Sequence, residues 1–268
     1  MKPDPLDMSG KVVIVTGGPR GVGRGICLRF LEHGADVVMC ARRDAERPVE
    51  AGGRRALFVE ADLRRVEAIT HVVELTRERF GHIDVLVNNA GGAPAADTAT
   101  VSPRFNESII QLNLVSALHF SQQVNAVMQQ QEHGGSIISI ASVSAIRPSP
   151  GTAAYGAAKA GLLSLTQTLA VEWAPKVRVN AVTAGMIETE LAHLHYGDAE
   201  ALARVAATVP LGRLGTPGDV GDACLYLASP LASYVSGANL LMHGGGEKPA
   251  FLGAVAETQR EKTGRGDR

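Results

Sequence analysis

Cysteine is scarce in this chain of 268 residues: there are only Cys27, Cys40 and Cys224. They stand far apart and form no CxxC pair, which excludes a disulfide framework and a cysteine zinc site. Charge imbalance is absent too. The formal net charge is −1, so no basic or acidic field calls for nucleic acid or a membrane surface. No apolar run approaches the ~18–20 residues that span a bilayer. The opening MKPDPLDMSG carries charges and two prolines, unlike a secretory signal. There is no repeat, no low-complexity linker and no break in composition. Together these absences lead to the expectation of a soluble, cytoplasmic, single-domain protein over residues 1–268.

What is present is alternation. Lys11–Thr16 (KVVIVT), Asp36–Cys40, Ala56–Glu60, Ile83–Asn88, Gly135–Ile140, Val177–Val182 and Asn239–Met242 read as strands. Helical patterns lie between them: one from the Gly-rich turn to about Gly34, then Val66–Phe80, Asn106–Gln131, Tyr155–Trp173 and Asp219–Ala228. Strands alternating with helices imply βαβ units and a doubly wound parallel sheet of about seven strands, with helices on both faces. The strands are nearly all apolar, as required when both sheet faces are covered. One crossover is short. Ala41–Arg55 contains Pro48 and Gly52-Gly53 and leaves little room for a helix.

Two constellations carry chemistry. The first is the turn Thr16-Gly17-Gly18-Pro19-Arg20-Gly21-Val22-Gly23, between a strand and a helix. Backbone N–H groups at a helix N-terminus attract an anion, and glycine lets a pyrophosphate approach the backbone. A tight turn without a ligand is the plainer alternative. The second is Ser142, Tyr155 and Lys159. Tyr155 and Lys159 are four apart and share a helix face, and Ser142 falls where strand ends form a ligand crevice. A free phenol titrates near 10. A neighbouring ammonium lowers that value and suits Tyr155 to proton transfer. Taken singly, a helical Tyr is usually core, a Lys solvated and a Ser a strand end.

The joint pattern resembles the short-chain dehydrogenase/reductase family in its single-domain, Rossmann-type form. The resemblance runs from about Leu6 to Gly246. It rests on Thr16–Gly23 (TGGPRGVG), Asp62-Leu63, Asn88-Asn89-Ala90-Gly91, Asn113, Ser142, Tyr155-Gly-Ala-Ala-Lys159, Arg178-Val-Asn180, Ala184-Gly185 and Thr189, in that order. It implies an NAD(P)-dependent, metal-independent oxidoreductase that interconverts a carbonyl and a secondary alcohol. By the resemblance, Tyr155 is the acid/base, Ser142 orients the carbonyl, and Lys159 binds the nicotinamide ribose and depresses the Tyr155 pKa. Asn113 helps hold a water in a proton relay. Gly17, Pro19, Arg20, Gly21, Val22 and Gly23 line the dinucleotide, and Asp62 and Leu63 contact adenine. Asn89, Ala90 and Gly91 flank the adenosine ribose, while Gly185, Ile187 and Thr189 hold the nicotinamide end. The alternatives are a nucleotide-binding sensor or scaffold without turnover, and a non-redox enzyme on the same fold.

This chain departs from the family pattern at Ala184, where Pro is usual, at His243, where Asp is usual, and in the shortened 41–55 crossover. The strand ending at Ala41 carries no carboxylate to accept the 2′-OH of NAD. Arg42 and Arg43 follow, and Arg20 lies in the Gly-rich turn; guanidinium groups suit a 2′-phosphate. NADP(H) is therefore the expected cofactor, with NAD(H) the alternative. Residues 186–210 read as a helical flap over the substrate, with His193 and His195 as lid residues rather than metal ligands. Trp173 reads as packing. The tail, 247–268, begins apolar and ends polar. Surplus apolar residues, Ile109, Leu112, Leu114, Ala117 and Phe120 in one helix and Leu162, Leu163, Leu165 and Leu169 in the other, point to a homotetramer.

Overall fold

The computed structural model describes residues 4–192 and 196–252. Its strands are β1 (Val12–Thr16), β2 (Asp36–Ala41), β3 (Glu50–Ala51), β4 (Arg54–Arg55), β5 (Leu57–Glu60), β6 (Val85–Asn88), β7 (Gly135–Ser142), β8 (Val177–Ala184) and β9 (Asn239–Met242). Its helices are α1 (Gly21–Glu32), α2 (Val66–Phe80), α3 (Pro103–Ile110), α4 (Ser116–Met128), α5 (Ala153–Glu172), α6 (Ala199–Thr208) and α7 (Pro217–Ala228). Seven strands form one sheet in the order β5-β2-β1-β6-β7-β8-β9, every pairing parallel. The chain starts at β1, winds outward through β2 to β5, then returns to β6 and winds the other way. That reversal opens a crevice beyond the carboxyl ends of β1 and β6, the place where such sheets take ligands.

Side-chain alternation builds two cores. All five residues of β1 are buried. Val13 and Val15 face a core with Ile26, Phe30 and Leu225 from α1 and α7. Ile14 faces the opposite core with Ile69, Phe120, Val124 and Leu169 from α2, α4 and α5. Period-two alternation along the strand produces this division. Trp173 packs against the second core, as expected.

At the amino-terminal edge of the sheet sits Asp84, whose side chain is only 6% exposed. Its carboxylate accepts from the Val12 amide at 2.8 Å and from Lys11 Nζ at 2.9 Å. His82 Nε2 and His133 Nε2 lie 3.1 and 3.0 Å from it. This cluster ties the starts of β1 and β6 together, at the end of the sheet away from the crevice.

Several element boundaries differ from the sequence expectation. The long helix starts at Pro103, not Asn106, because Ser102 caps it by accepting from the Phe105 amide at 3.2 Å and Pro103 fills the first turn. The short crossover holds no helix. It folds into the hairpin β3–β4, turned by Gly52 (φ +58°) and Gly53 (φ +72°); two consecutive left-handed residues are what a tight two-residue hairpin loop demands. In the 186–210 segment, Ile187 bridges Gly215, and α6 is capped by Asp198, whose carboxylate accepts from the Ala201 amide. His193 and His195 lie outside the described residues, as does the tail from 253. Among the described residues no helix is long and apolar enough to cross a membrane.

Candidate active site

The crevice is assembled by Thr16 at the end of β1. Its Oγ1 accepts from the amides of Asn89 and Ala90, at 2.9 and 2.8 Å, and Asn89 Nδ2 donates to Thr16 O at 2.8 Å. The loop after β6 is thereby clasped to the Gly-rich turn after β1. The turn has no room for side chains. Gly17 has φ +69°, and a Cβ there would lie 3.0 Å from Asn89 Nδ2. A Cβ at Gly23 would collide with Gly17 O. Pro19 is buried and Arg20 exposed. At the start of α1, the Gly21 amide donates to Glu190 Oε1 at 2.8 Å, and Thr189 Cγ2 sits 3.7 Å from where a Gly21 Cβ would be. The amino end of α1 thus already holds an anion, as its dipole and free N–H groups favour.

Ser142 ends β7, and its Oγ accepts from the Ser144 amide at 3.2 Å as the chain turns through Val143–Ala145. Its side chain also hydrogen-bonds Tyr155 in the first turn of α5. One turn on, Lys159 is 3% exposed. Its Nζ donates to Ile140 O at 2.6 Å and lies 5.7 Å from the Tyr155 ring centroid. Asn113 sits in a π-type turn, Gln111–Val115, between α3 and α4; such wide turns inside helices recur at functional sites. Asn113 is 1% exposed. Its Oδ1 accepts from the Gly92 amide at 2.8 Å, and its Nδ2 donates to Gly92 O and Ile109 O. A Cβ at Gly91 would lie 2.5 Å from Asn113 Oδ1 and 3.3 Å from Lys159 Nζ. Asn113, Gly91, Lys159, Tyr155 and Ser142 therefore form one contiguous group.

The electrostatics correct one expectation. Burial raises the Tyr155 pKa above its ordinary value, and only the Ser142 hydrogen bond opposes it. The Lys159 ammonium is itself engaged by Ile140 O. Burial pushes Lys159 itself down from 10.5 to about 8.

The remaining candidates are spread around the same crevice. Gly185 donates its amide to Met242 O, and a Cβ on it would stand 2.8 Å from His243 Cα. Ala184 extends β8 and pairs with both Ser142 and Met242. Ala41 ends β2, followed by Arg42 and Arg43, both exposed. The Arg42 charge acts on Asp62, which is bound by Arg64 through Nε at 2.9 Å and Nη2 at 2.6 Å. Leu63 is 5% exposed and its side chain belongs to the second core. Val22 packs against the first core. Sequence reasoning missed Thr16 as a clasp, and missed Glu190, Arg147 and Glu247 altogether. Thr16 was legible as a hydroxyl at a strand end; the other three make long-range contacts without a local signal. Among the described residues, no group of three or more His, Cys, Asp or Glu is placed to hold a metal ion.

A glycine-lined turn at a helix amino end, an anion already seated there, and a Ser–Tyr–Lys group across the crevice fit a nicotinamide dinucleotide and a carbonyl–alcohol substrate. Comparison with known proteins agrees. A family model described as enoyl-(acyl carrier protein) reductase matches residues 17–247. The chain is 35% identical over 246 residues to 3beta-hydroxysteroid dehydrogenase 1 of Eggerthella lenta, covering 89% of this chain and 94% of that protein. It is 36% identical over 245 residues to an L-rhamnose 1-dehydrogenase (NAD(P)(+)) of Sphingomonas sp., covering 89% and 96%. The ligand-free structure of the aldohexose dehydrogenase of Thermoplasma acidophilum superposes with a TM-score of 0.83 at 31% identity, covering 90% and 95%. The chain belongs to the short-chain dehydrogenase/reductase family, and it is an NAD(P)-dependent oxidoreductase.

Proposed function

We propose that this protein reduces a carbonyl to a secondary alcohol, or runs the reverse, without a metal, in the cytoplasm, with Tyr155 as acid/base and NADP(H) preferred over NAD(H). The observation that carries the reading is the hydrogen-bonded Ser142–Tyr155 pair above the buried Lys159. When bound, the nicotinamide supplies or accepts the hydride. Tyr155 Oη–H donates a proton to the substrate oxygen as negative charge grows there, and takes it back in the reverse direction. Ser142 Oγ–H donates to the same oxygen and aligns it. Lys159 Nζ, on the Tyr155 side of Gly91, holds positive charge near the ribose and the phenol. Asn113 braces the loop at Gly91-Gly92, where a relay water would be held. Gly17–Gly23, Asn89–Gly91, Asp62-Leu63, Gly185, Ile187 and Thr189 outline the dinucleotide path. The named relatives act on a steroid, an aldose and an aldohexose, so they favour no single substrate.

The NADP(H) preference rests on Arg42 and Arg43, exposed beyond the uncharged Ala41, and on Arg20, exposed in the Gly-rich turn. Asp62 is already occupied by Arg64, and Asp36 by Arg54 at 2.8 Å, so neither carboxylate competes for a ribose hydroxyl. A charge-assisted contact contributes about 1.5–3 kcal/mol. Arg42→Ala is expected to cut the NADPH-over-NADH ratio of kcat/KM by about tenfold or more. Equal efficiency with both cofactors in the wild type, or a ratio untouched by the substitution, would show that the 2′-phosphate is not read here.

We also infer a homotetramer. Leu112, Leu114, Val115, Leu163 and Leu165 are only half-buried, and Val171 on α5 is 80% exposed. Tyr234 and Leu241, next to and on the edge strand β9, are exposed as well. Closed symmetry would cover these faces. Sedimentation at micromolar concentration checks this, and a monomer there refutes it.

A further inference from the structure

Arg147 takes no part in the proton transfer, yet it stands on the loop that joins Ser142 to Tyr155. That loop is firmly built. The amides of Ile146 and Arg147 both donate to Val143 O, at 3.0 and 3.1 Å. Ser149 Oγ bonds Ser144 Oγ at 3.0 Å and Thr152 Oγ1 at 2.6 Å. Ser144 O lies against Gly156 of α5, 2.9 Å from where a Cβ would be. The backbone that carries Arg147 is thus fixed between Ser142 and Tyr155.

Its partner comes from far along the chain. Arg147 Nη2 meets Glu247 Oε1 at 2.6 Å, the two side chains being 43% and 38% exposed. Three consecutive glycines with positive φ, Gly244–Gly246, turn the chain from β9 to bring Glu247 there. The Tyr196 phenol, next to the flap helix, feels the charges of Arg147 and Glu247 and of the Tyr155 phenolate form. Tyr196 therefore lies within electrostatic reach of both the ion pair and the proposed acid/base. An exposed ion pair contributes little to stability, and it is accessible to exchange. A guanidinium fork is the group best matched to a carboxylate. Beside Tyr155 lies a cavity lined by Pro94, Val101, Phe105 and Ile109 together with Thr98 and Asn106.

We propose that Arg147 is the specificity residue for a hydroxy- or oxo-acid, and that Glu247 holds its guanidinium as an internal stand-in for the substrate carboxylate. The acid's reacting carbon lies at Ser142 and Tyr155, its carboxylate replaces that of Glu247 on Arg147, and its remaining short chain meets the cavity at Phe105. The displaced Glu247 carboxylate, 38% exposed already, turns to solvent, so no buried charge is left unpaired. The inference rests on Ser142 and Tyr155 being the catalytic pair.

The test uses a panel of four- to six-carbon hydroxy-acids, each matched with the neutral alcohol in which hydroxymethyl replaces the carboxylate. Turnover and equilibrium binding to the NADP(H)-loaded protein are both measured. The wild type should favour at least one acid over its alcohol by roughly tenfold or more, as a charge-assisted fork contributes. Arg147→Ala should lower the acid-to-alcohol ratio of kcat/KM roughly 10–100-fold, chiefly through KM. Arg147→Lys should restore part of it. Glu247→Gln should raise acid affinity by removing the competitor. Tyr155→Phe should still discriminate acid from alcohol in binding. If that variant keeps turnover instead, the catalytic reading fails while the Arg147 inference stands on binding alone. No acid favoured over its alcohol, or a ratio indifferent to Arg147→Ala, overturns the inference. A lowered melting temperature in Arg147→Ala and Glu247→Gln with unchanged selectivity also overturns it, leaving a clasp between loop and carboxyl-terminal segment.

Discussion

Tyr155→Phe is expected to lower kcat/KM by about 10²–10⁴, the contribution of a positioned acid/base, while the cofactor still binds. The substitution removes one oxygen and keeps the ring. The ring packs in the first turn of α5, so the helix and Lys159 should stay in place. What is lost is the proton and the Ser142 hydrogen bond. That same bond is the only influence offsetting the upward push of burial on the phenol. Ser142→Ala should therefore move the alkaline limb of the pH–rate profile upward as well as slow the reaction. A Tyr155→Phe protein with more than about a tenth of the wild-type rate sinks the assignment, since no positioned acid contributes so little.

Lys159→Met should separate stability from activity. The Lys159 ammonium is buried, and burial holds its pKa at about 8 against 10.5 in the unfolded chain. A folded pKa below the unfolded one means that the fold binds the proton less tightly than the open chain does. The charged side chain then costs stability in full below pH 8. The cost shrinks as pH rises from 8 to 10.5, and above that range it is gone. A difference of this size corresponds to about 3 kcal/mol. Methionine keeps the length and removes the charge, but it leaves Ile140 O without its donor, a loss of about 1–3 kcal/mol. The variant should therefore be at least as stable as wild type at pH 7, and it should lack the gain in stability that wild type shows between pH 8 and 10. Its kcat/KM should fall by at least about 10². Denaturant titrations at pH 7, 8, 9 and 10 decide the matter. Parallel pH profiles for the two proteins would mean that the ammonium is not held against a desolvation cost.

Residues with local signatures were legible in the sequence, and residues defined by distant contacts were not. The strand Val12–Thr16 could be read because burial on both faces leaves a continuous β-branched run. The Gly-rich turn could be read because three of its positions admit no side chain. Tyr155 and Lys159 followed from helical spacing alone. The wide turn at Asn113 was hidden, since Gln111–Val115 contains no Gly or Pro to mark it. The crossover after Ala41 was legible as non-helical, but strands of two residues carry no periodicity. The upward shift of the Tyr155 pKa comes from burial, which helical spacing alone does not report.

The two ends of the sheet are built on opposite electrostatic plans. At the amino end the buried carboxylate of Asp84 is surrounded by Lys11, His82 and His133. At the carboxyl end the buried ammonium of Lys159 donates to a peptide carbonyl and is paired with no carboxylate among the described residues. One pole of the domain is an anchor and the other a spring held under load. Sites of this kind are kept at the expense of stability elsewhere in the fold. Heat-hardening by mutation thus has an obvious but sterile route, the relaxation of the loaded pole, and a productive one, the reinforcement of the anchor. Changes around Lys11, Asp84 and His133 leave the crevice alone, so the room for adapting this protein to new temperatures lies at the end of the sheet where nothing reacts.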